Sequence, residues 1–404
     1  MEQAQMMQLL QAKIFAHPGT RQFNPYSQAV LKKLSACHTI RLGMHLYRCN
    51  SCQHQHYQYH SCGNRHCPNC GGLKREQWLQ DRMSELLPTT YFHIVFTLPQ
   101  QLRSMAMGNR KEVFNLLFEV STYTLRELGQ DEKYLGGTPG IISILHTNGQ
   151  DLTFHPHIHC IVSGGGLSKE GKWIKEKRAN GNFLFPRRAM EKTFKDYFLE
   201  RLKALRQVQK LQIEDETAFE NILHEVRYIK WNVNAKSPFG GPRHVLEYLG
   251  RYTHKVAITT HRILNISDTD ITFKYKDYKD GDKQKEMTLR HEEFLRRFEQ
   301  HILPKGFVKI RHSGFLSHQN KTERLRSICE QLEIDAPPSK VKLPVAVLAA
   351  MKYGVDITQC SVCKTGKLAL VATYGNISKE GVHLVNAAEL HSRGSPRKIQ
   401  KAAL

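Results

Sequence analysis

The chain has 404 residues, with 59 lysines and arginines against 37 aspartates and glutamates, for a formal net charge of +22. At roughly 100–200 residues per domain, this length suits two or three domains and a core that needs no covalent staples. No apolar run approaches the ~18–20 residues that cross a bilayer, which excludes a membrane-spanning chain. The start, MEQAQMMQLLQAKIF, lacks a basic region followed by a long apolar stretch. No signal peptide is therefore expected, which suits a cytoplasmic location. A basic excess of this size suits a polyanionic partner, nucleic acid first, or serves solubility alone.

In chain order, residues 1–30 predict an apolar, mostly helical lead-in broken at Pro18, Gly19 and Pro25. Residues 37–72 are too rich in Cys, His, Asn and Gly to pack a core unaided and predict a metal-organised module. A helix from about Lys74 to Leu87 leads to the β-rich run YFHIVFTLP (Tyr91–Pro99). Apolar residues at helical spacing predict a helix from Arg110 to Leu128. Ile141–Thr147 and His157–Val162 predict two strands, the second stopped by glycines at 164–166.

A helix over 189–210 carries Lys192, Lys195, Arg201, Lys203, Arg206 and Lys210 opposite its apolar side, either facing phosphates or simply solvated. After the SPFGGP turn, Val245–Tyr252 predicts a short helix. Alternating segments then predict a β-meander, His291–Ile302 a short amphipathic helix, and the basic SRGSPRKIQK end a loose tail.

The cysteines give the strongest local signal. Cys49-x2-Cys52 and Cys67-x2-Cys70 stand fourteen residues apart, a spacing that supplies four thiolates to one closed, structural Zn²⁺ site. Cys37, His45, Cys62 and His66 interleave with them and offer ligands for a second zinc. Cys360-x2-Cys363 is half a site, with His383 and His391 as the available partners, and no metal is expected there.

Two further motifs carry chemistry. In HPHIHCIV, His157 and His159 lie two apart, so on a strand both imidazoles face one side while Ile158 faces the core. Such a pair can hold a divalent ion and leave positions open, or be an ordinary surface pair. His155 would share that side if the strand reached it, but Pro156 predicts a later start. In YLGRYTHK, Tyr248 and Tyr252 lie four apart, on one face of a helix. They are either core packing or two nucleophiles, and the flanking Arg251, His254 and Lys255 argue against a buried stripe.

The order of the cysteine module, FHIVFTLP, LHTNGQ…HPHIHCIV…GGG, FGGP…VLEYLGRYTHKVAI and HILPKGFVKIRHSGFL resembles the two-tyrosine HUH rolling-circle transposases of bacterial insertion sequences. The resemblance runs from about residue 10 to residue 335. It implies an α+β fold, an HUH endonuclease domain with an antiparallel sheet flanked by helices, preceded by a small Cys/His zinc-binding module. The implied division is 1–88 for the helical and zinc-binding domain, 89–335 for the transposase/nuclease domain, and 336–404 for a tail with the CxxC pair.

It further implies a DNA transposase that nicks and joins single-stranded DNA by tyrosine transesterification with Mg²⁺ or Mn²⁺, leaving a 5′-phosphotyrosine and a free 3′-OH. His157 and His159 match the metal ligands, and Tyr248 and Tyr252 the nucleophiles. The third ligand is His146, with Gln150 next and His155 a further candidate. Lys255 either offsets charge on the phosphate or phenolate or is a surface lysine. The partner is DNA, mainly single-stranded transposon ends and target, with a homo-oligomer on DNA compatible and no membrane. Two other functions remain open at this point: a non-catalytic zinc-containing DNA-binding regulator, and an HUH replication-initiation or relaxase nuclease.

Overall fold

A computed structural model of the chain describes residues 3–83, 85–177, 184–236, 244, 250, 256–278, 280–336, 340–375 and 384–385. The chain divides into two compact units, Met1–Leu73 together with Leu343–Leu404, and Lys74–Lys342. Two units are observed where three segments were expected. The breaks between units fall at 73/74 and 342/343, against expected divisions at 88/89 and 335/336.

In the first unit, helix α1 (Gln3–Leu9) runs on through a wider turn to Phe15, and α2 spans Pro25–Ser35. Asn24 caps α2 by accepting the Ser27 N–H at 3.0 Å, and Pro25 occupies the first helical position, where no N–H is needed. Leu10, Ile14, Phe15, Leu31 and Leu34 are buried. The sheet comprises β1 (Met44–Cys49), β2 (Gln55–Tyr59), β12 (Leu368–Tyr374) and β13 (Leu384–Val385), in the order β13-β12-β1-β2. Residues more than 300 positions away in sequence therefore pair directly with β1, with Cys49 opposite Leu368 and His45 opposite Thr373.

The second unit opens with α3 (Gly72–Met83), most of which belongs to it. Its main sheet comprises β3 (Tyr91–Thr97), β4 (Thr138–Asn148), β5 (Phe154–Leu167), the short β6 (Trp173–Lys175), β7 (Val233–Lys236) and β11 (Ile310–Ser313). The strand order is β11-β4-β5-β3-β7, antiparallel throughout, with β6 on the end of β5. Alternation gives the sheet two faces. Ile94, Phe96, Ile141, Leu145, Ile158, Cys160 and Val162 are buried in one cluster with Leu117 of α5 (Arg110–Gln130) and Phe194 and Phe198 of α6 (Arg187–Gln207). On the other face, Ile142, Ile144 and Ile161 pack with Leu87, Phe315, Leu325 and Ile328, and with Trp78 of α3.

Strand β5 starts at Phe154, earlier than Pro156 predicted. Pro156 faces the end of β3: its carbonyl accepts the Leu98 N–H at 3.0 Å, one residue past Thr97, so its missing N–H costs at most one bond at the edge of that pairing. The expected meander is present as β8 (Ile263–Ile266), β9 (Asp270–Asp277) and β10 (Lys283–Arg290), followed by a helix over His291–Glu299. The basic side of α6 is largely engaged within the chain. Lys192 pairs with Asp196 at 2.6 Å, Arg201 with Glu119 at 2.6 Å, Arg206 with Glu216, and Lys195 donates to the Arg227 carbonyl at 2.9 Å. Among the described residues no helix is long and apolar enough to cross a membrane.

Candidate active site and metal centres

Register alone brings three imidazoles together. His146 of β4 lies directly opposite His157 of β5, and Ile144 lies opposite His159, so all three histidines share one face at one end of the sheet. One ring nitrogen from each lies within 4.8 Å of the others. His146 and His159 are buried and His157 is half-buried, which leaves an approach from one side.

Hydrogen bonds orient two of the three rings. His157 Nδ1 donates to the His155 carbonyl at 2.6 Å, so Nε2 is the nitrogen it can offer to a metal. His159 Nδ1 meets His93 Nε2 at 2.8 Å. Burial, then the charge of Lys236, pushes the His93 imidazole down to about 4, so it stays neutral. Three converging imidazoles, two of them with hydrogen-bonded outer partners, suit a divalent ion, and three protein ligands leave coordination positions for other oxygens.

Of the other candidate ligands, His155 lies beside the trio, its ring 5.1 Å from that of His157, but is not one of the three that converge. Gln150 is half-buried and donates to the Tyr278 hydroxyl at 3.3 Å. His155 accepts from the Arg103 guanidinium, and burial followed by that positive charge lowers it to about 4. Tyr248, Tyr252 and Lys255 lie outside the described residues. Gly250, between the two tyrosines, is helical and buried, and a Cβ on it would come within 2.7–3.0 Å of the Leu79 side chain of α3. Residue His93 was not singled out from the sequence. Its only signal was a histidine inside an otherwise apolar strand, FHIVFT, two residues before Val95, which lies opposite His159.

The cysteines group differently from the spacing-based expectation. Cys37, Cys62, Cys67 and Cys70 form one cluster, and Cys49, Cys52, Cys360 and Cys363 another. The pair Cys49/Cys52 and the pair Cys67/Cys70 thus belong to different clusters, because β1 and β2 carry the first pair to the far end of a hairpin. Neither His45 nor His66 joins either group. His45 Nδ1 bonds the Thr373 hydroxyl at 2.8 Å, and its ring packs 4.4 Å from that of His60.

In the first cluster Cys37 lies 3.3 Å from Cys70 and 3.6 Å from Cys67, and Cys62 lies 3.6 Å from Cys70. A tetrahedral ion with Zn–S bonds of about 2.3 Å sets sulfurs about 3.8 Å apart, so the cage has nearly that size. Four thiols this close cannot all ionise without a cation: contact with Cys37 drives Cys70 well below an ordinary thiol and Cys67 well above.

Comparison with known proteins agrees with this layout. A family model described as "Transposase zinc-binding domain" matches residues 6–98, and one described as "Putative transposase" matches residues 140–324, which include the three histidines. The chain is 39% identical over 360 residues to "Putative transposase y4qJ" of Sinorhizobium fredii (strain NBRC 101917 / NGR234), covering 86% of this chain and 90% of that one. It is 30% identical over 361 residues to "Transposase for insertion sequence element IS801" of Pseudomonas savastanoi pv. phaseolicola, covering 87% and 85%. No solved structure matches it with significance. With a cysteine cage inside the zinc-binding match and the histidine strands inside the transposase match, the chain belongs to the IS91/IS801-like family of insertion-sequence transposases, which carry a zinc-binding domain ahead of the transposase domain.

Proposed function

We propose that this transposase nicks and rejoins single-stranded DNA by HUH-type tyrosine transesterification, moving an insertion sequence by a rolling-circle route. The observation that carries this proposal is the face-sharing trio His146, His157 and His159, whose ring nitrogens converge within 4.8 Å. A Mg²⁺ or Mn²⁺ ion held there would supply Lewis-acid stabilisation to the scissile phosphate.

The chain's own residues do the rest. The phenol oxygen of Tyr248 or Tyr252 attacks phosphorus, a Tyr O–P bond forms, and the P–O3′ bond breaks. The phenol gives up its proton and the departing 3′-oxygen takes one up, leaving a 5′-phosphotyrosine and a free 3′-OH. The phosphate energy stays in the covalent link, so no nucleotide cofactor is required. Lys255 offsets the charge on the phosphate or phenolate.

Two nucleophiles permit two successive transfers without resetting, one holding the element's end while the other takes the target. Support comes from Gly250, which packs against Leu79, while the adjacent Trp78 belongs to the cluster on the histidine-bearing face of the sheet. The net charge of +22 suits a DNA partner.

The test is incubation with labelled single-stranded oligonucleotides carrying element ends and Mn²⁺, followed by denaturing electrophoresis. A slow-migrating protein–DNA adduct is expected in the wild type and in each single Tyr→Phe variant, and none in Y248F/Y252F. An adduct that survives in the double variant, or DNA binding with no adduct under any condition, defeats the proposal; the second outcome marks a DNA-binding regulator.

A further inference from the structure

We propose that Cys49, Cys52, Cys360 and Cys363 hold a second structural zinc ion, built from one knuckle near the N-terminal end of the sequence and one near the other end. The zinc-binding family match stops at residue 98 and contains only half of this set.

The two CxxC segments adopt the same turn. In each, the residue after the second cysteine turns left-handed, Gln53 at φ 58° and Lys364 at φ 56°. In each, that residue's N–H bonds back to the first cysteine's carbonyl, Gln53 to Cys49 at 3.2 Å and Lys364 to Cys360 at 3.0 Å. The first cysteine's own N–H is held by a carbonyl further on, Cys49 by His54 and Cys360 by Gly366, both at 2.9 Å.

Backbone donors also point at sulfur. The N–H groups of Ser51 and Cys52 reach Cys49 Sγ at 3.4 and 3.5 Å, and that of Gly366 reaches Cys363 Sγ at 3.3 Å. Such N–H···S bonds favour thiolates, the form that binds metal.

The two turns face each other at the spacing of a tetrahedron. Cys49 Sγ is 3.6 Å from Cys363 Sγ, and Cys52 Sγ is 3.8 Å from Cys360 Sγ, against about 3.8 Å around zinc. All four are free thiols. Asn50 locks the two turns together, its N–H on the Lys367 carbonyl at 3.0 Å and its side-chain oxygen accepting the Lys367 N–H at 2.8 Å. Gly366 is the close-approach residue, because a Cβ there would strike Cys49 Sγ. Four thiolates fill a tetrahedral ion, so this centre holds structure and leaves no position for substrate.

The test uses the whole chain and no DNA, so its outcome is independent of the strand-transfer proposal. In the wild type, mild alkylation with iodoacetamide followed by peptide mapping is expected to spare all eight clustered cysteines, and to modify all eight after zinc is stripped by chelator under denaturing conditions. C363S is expected to lose one equivalent of zinc by elemental analysis. Its Cys49, Cys52 and Cys360 are expected to become reactive, while Cys37, Cys62, Cys67 and Cys70 stay protected. Ready alkylation of Cys360 and Cys363 in the zinc-loaded wild type overturns the proposal, whether or not the variant folds. An unchanged zinc content in C363S, a disulfide by intact mass, or iron in place of zinc does the same.

Discussion

His93 Nε2 sits 2.8 Å from His159 Nδ1, and the two rings lie parallel to within 6°, their centroids 5.1 Å apart. His93 is thus the positioning partner of a candidate metal ligand, holding its ring plane and the nitrogen it presents. Replacing it with Phe keeps the ring but removes the hydrogen bond. H93F is expected to weaken Mn²⁺ binding about 10–100-fold, measured by calorimetry or by the EPR signal of free Mn²⁺. Unchanged affinity would mean that packing alone orients His159.

The regrouped cysteines make a second expectation checkable. C62S is expected to lose one zinc equivalent, because Cys62 belongs to the Cys37 cage. H45A and H66A are expected to retain the full content, since neither histidine joins a cluster. Elemental analysis of the three purified proteins decides, and zinc loss in either histidine variant would restore the mixed Cys/His site that the spacing suggested.

Gly250 is fixed by its neighbour. In a helix, Gly→Ala normally stabilises by about 1 kcal/mol, but here the new Cβ would lie 2.7 Å from Leu79 Cδ2 and 3.0 Å from its Cγ. Overpacking of this kind destabilises by about 1–3 kcal/mol. G250A is therefore expected to lower stability in the wild-type background and to raise it by about 1 kcal/mol in an L79A background, measured by urea unfolding. The same sign in both backgrounds would show that Leu79 does not set the requirement.

His301 predicts an acid-sensitive step. Its Nε2 donates to the Leu152 carbonyl and its Nδ1 accepts from the Thr147 hydroxyl, both at 3.1 Å, and burial pushes its pKa down to about 4. An unfolded histidine titrates near 6.5, so the folded state binds the proton less well. The stabilisation is complete above about pH 6.5, falls as pH drops towards 4, and totals about 3 kcal/mol. Between pH 6 and 4.5, unfolding free energy in H301Q is expected to depend on pH by about one proton less than in the wild type. Equal slopes would place the acid sensitivity elsewhere.

Much of the second unit was legible because strand and helix periodicities are local. HPHIHCIV gave the facing of His157 and His159, and the meander followed from alternation. Expecting His146 beside His157 needed only a short hairpin, and the register sets the two opposite each other. The cysteine grouping was not legible: spacing reports which thiols can share a turn, not which turns meet, and the partner of Cys49 lies 314 residues away. Pro156 misled because it sits where the β3 pairing ends, so its missing N–H costs at most one terminal bond, and that position is invisible in sequence. The histidine opposite this logic, His93, read as an ordinary strand residue since its partner lies on another strand.

Pairing of β12 with β1 makes residues 74–342 an insertion within the other unit. On the ribosome the inserted part emerges whole and can fold while the interrupted one waits for its last strands. A message cut short before the codon for Leu368 would yield a chain with the histidine-bearing sheet entire and the N-terminal sheet reduced to a single hairpin.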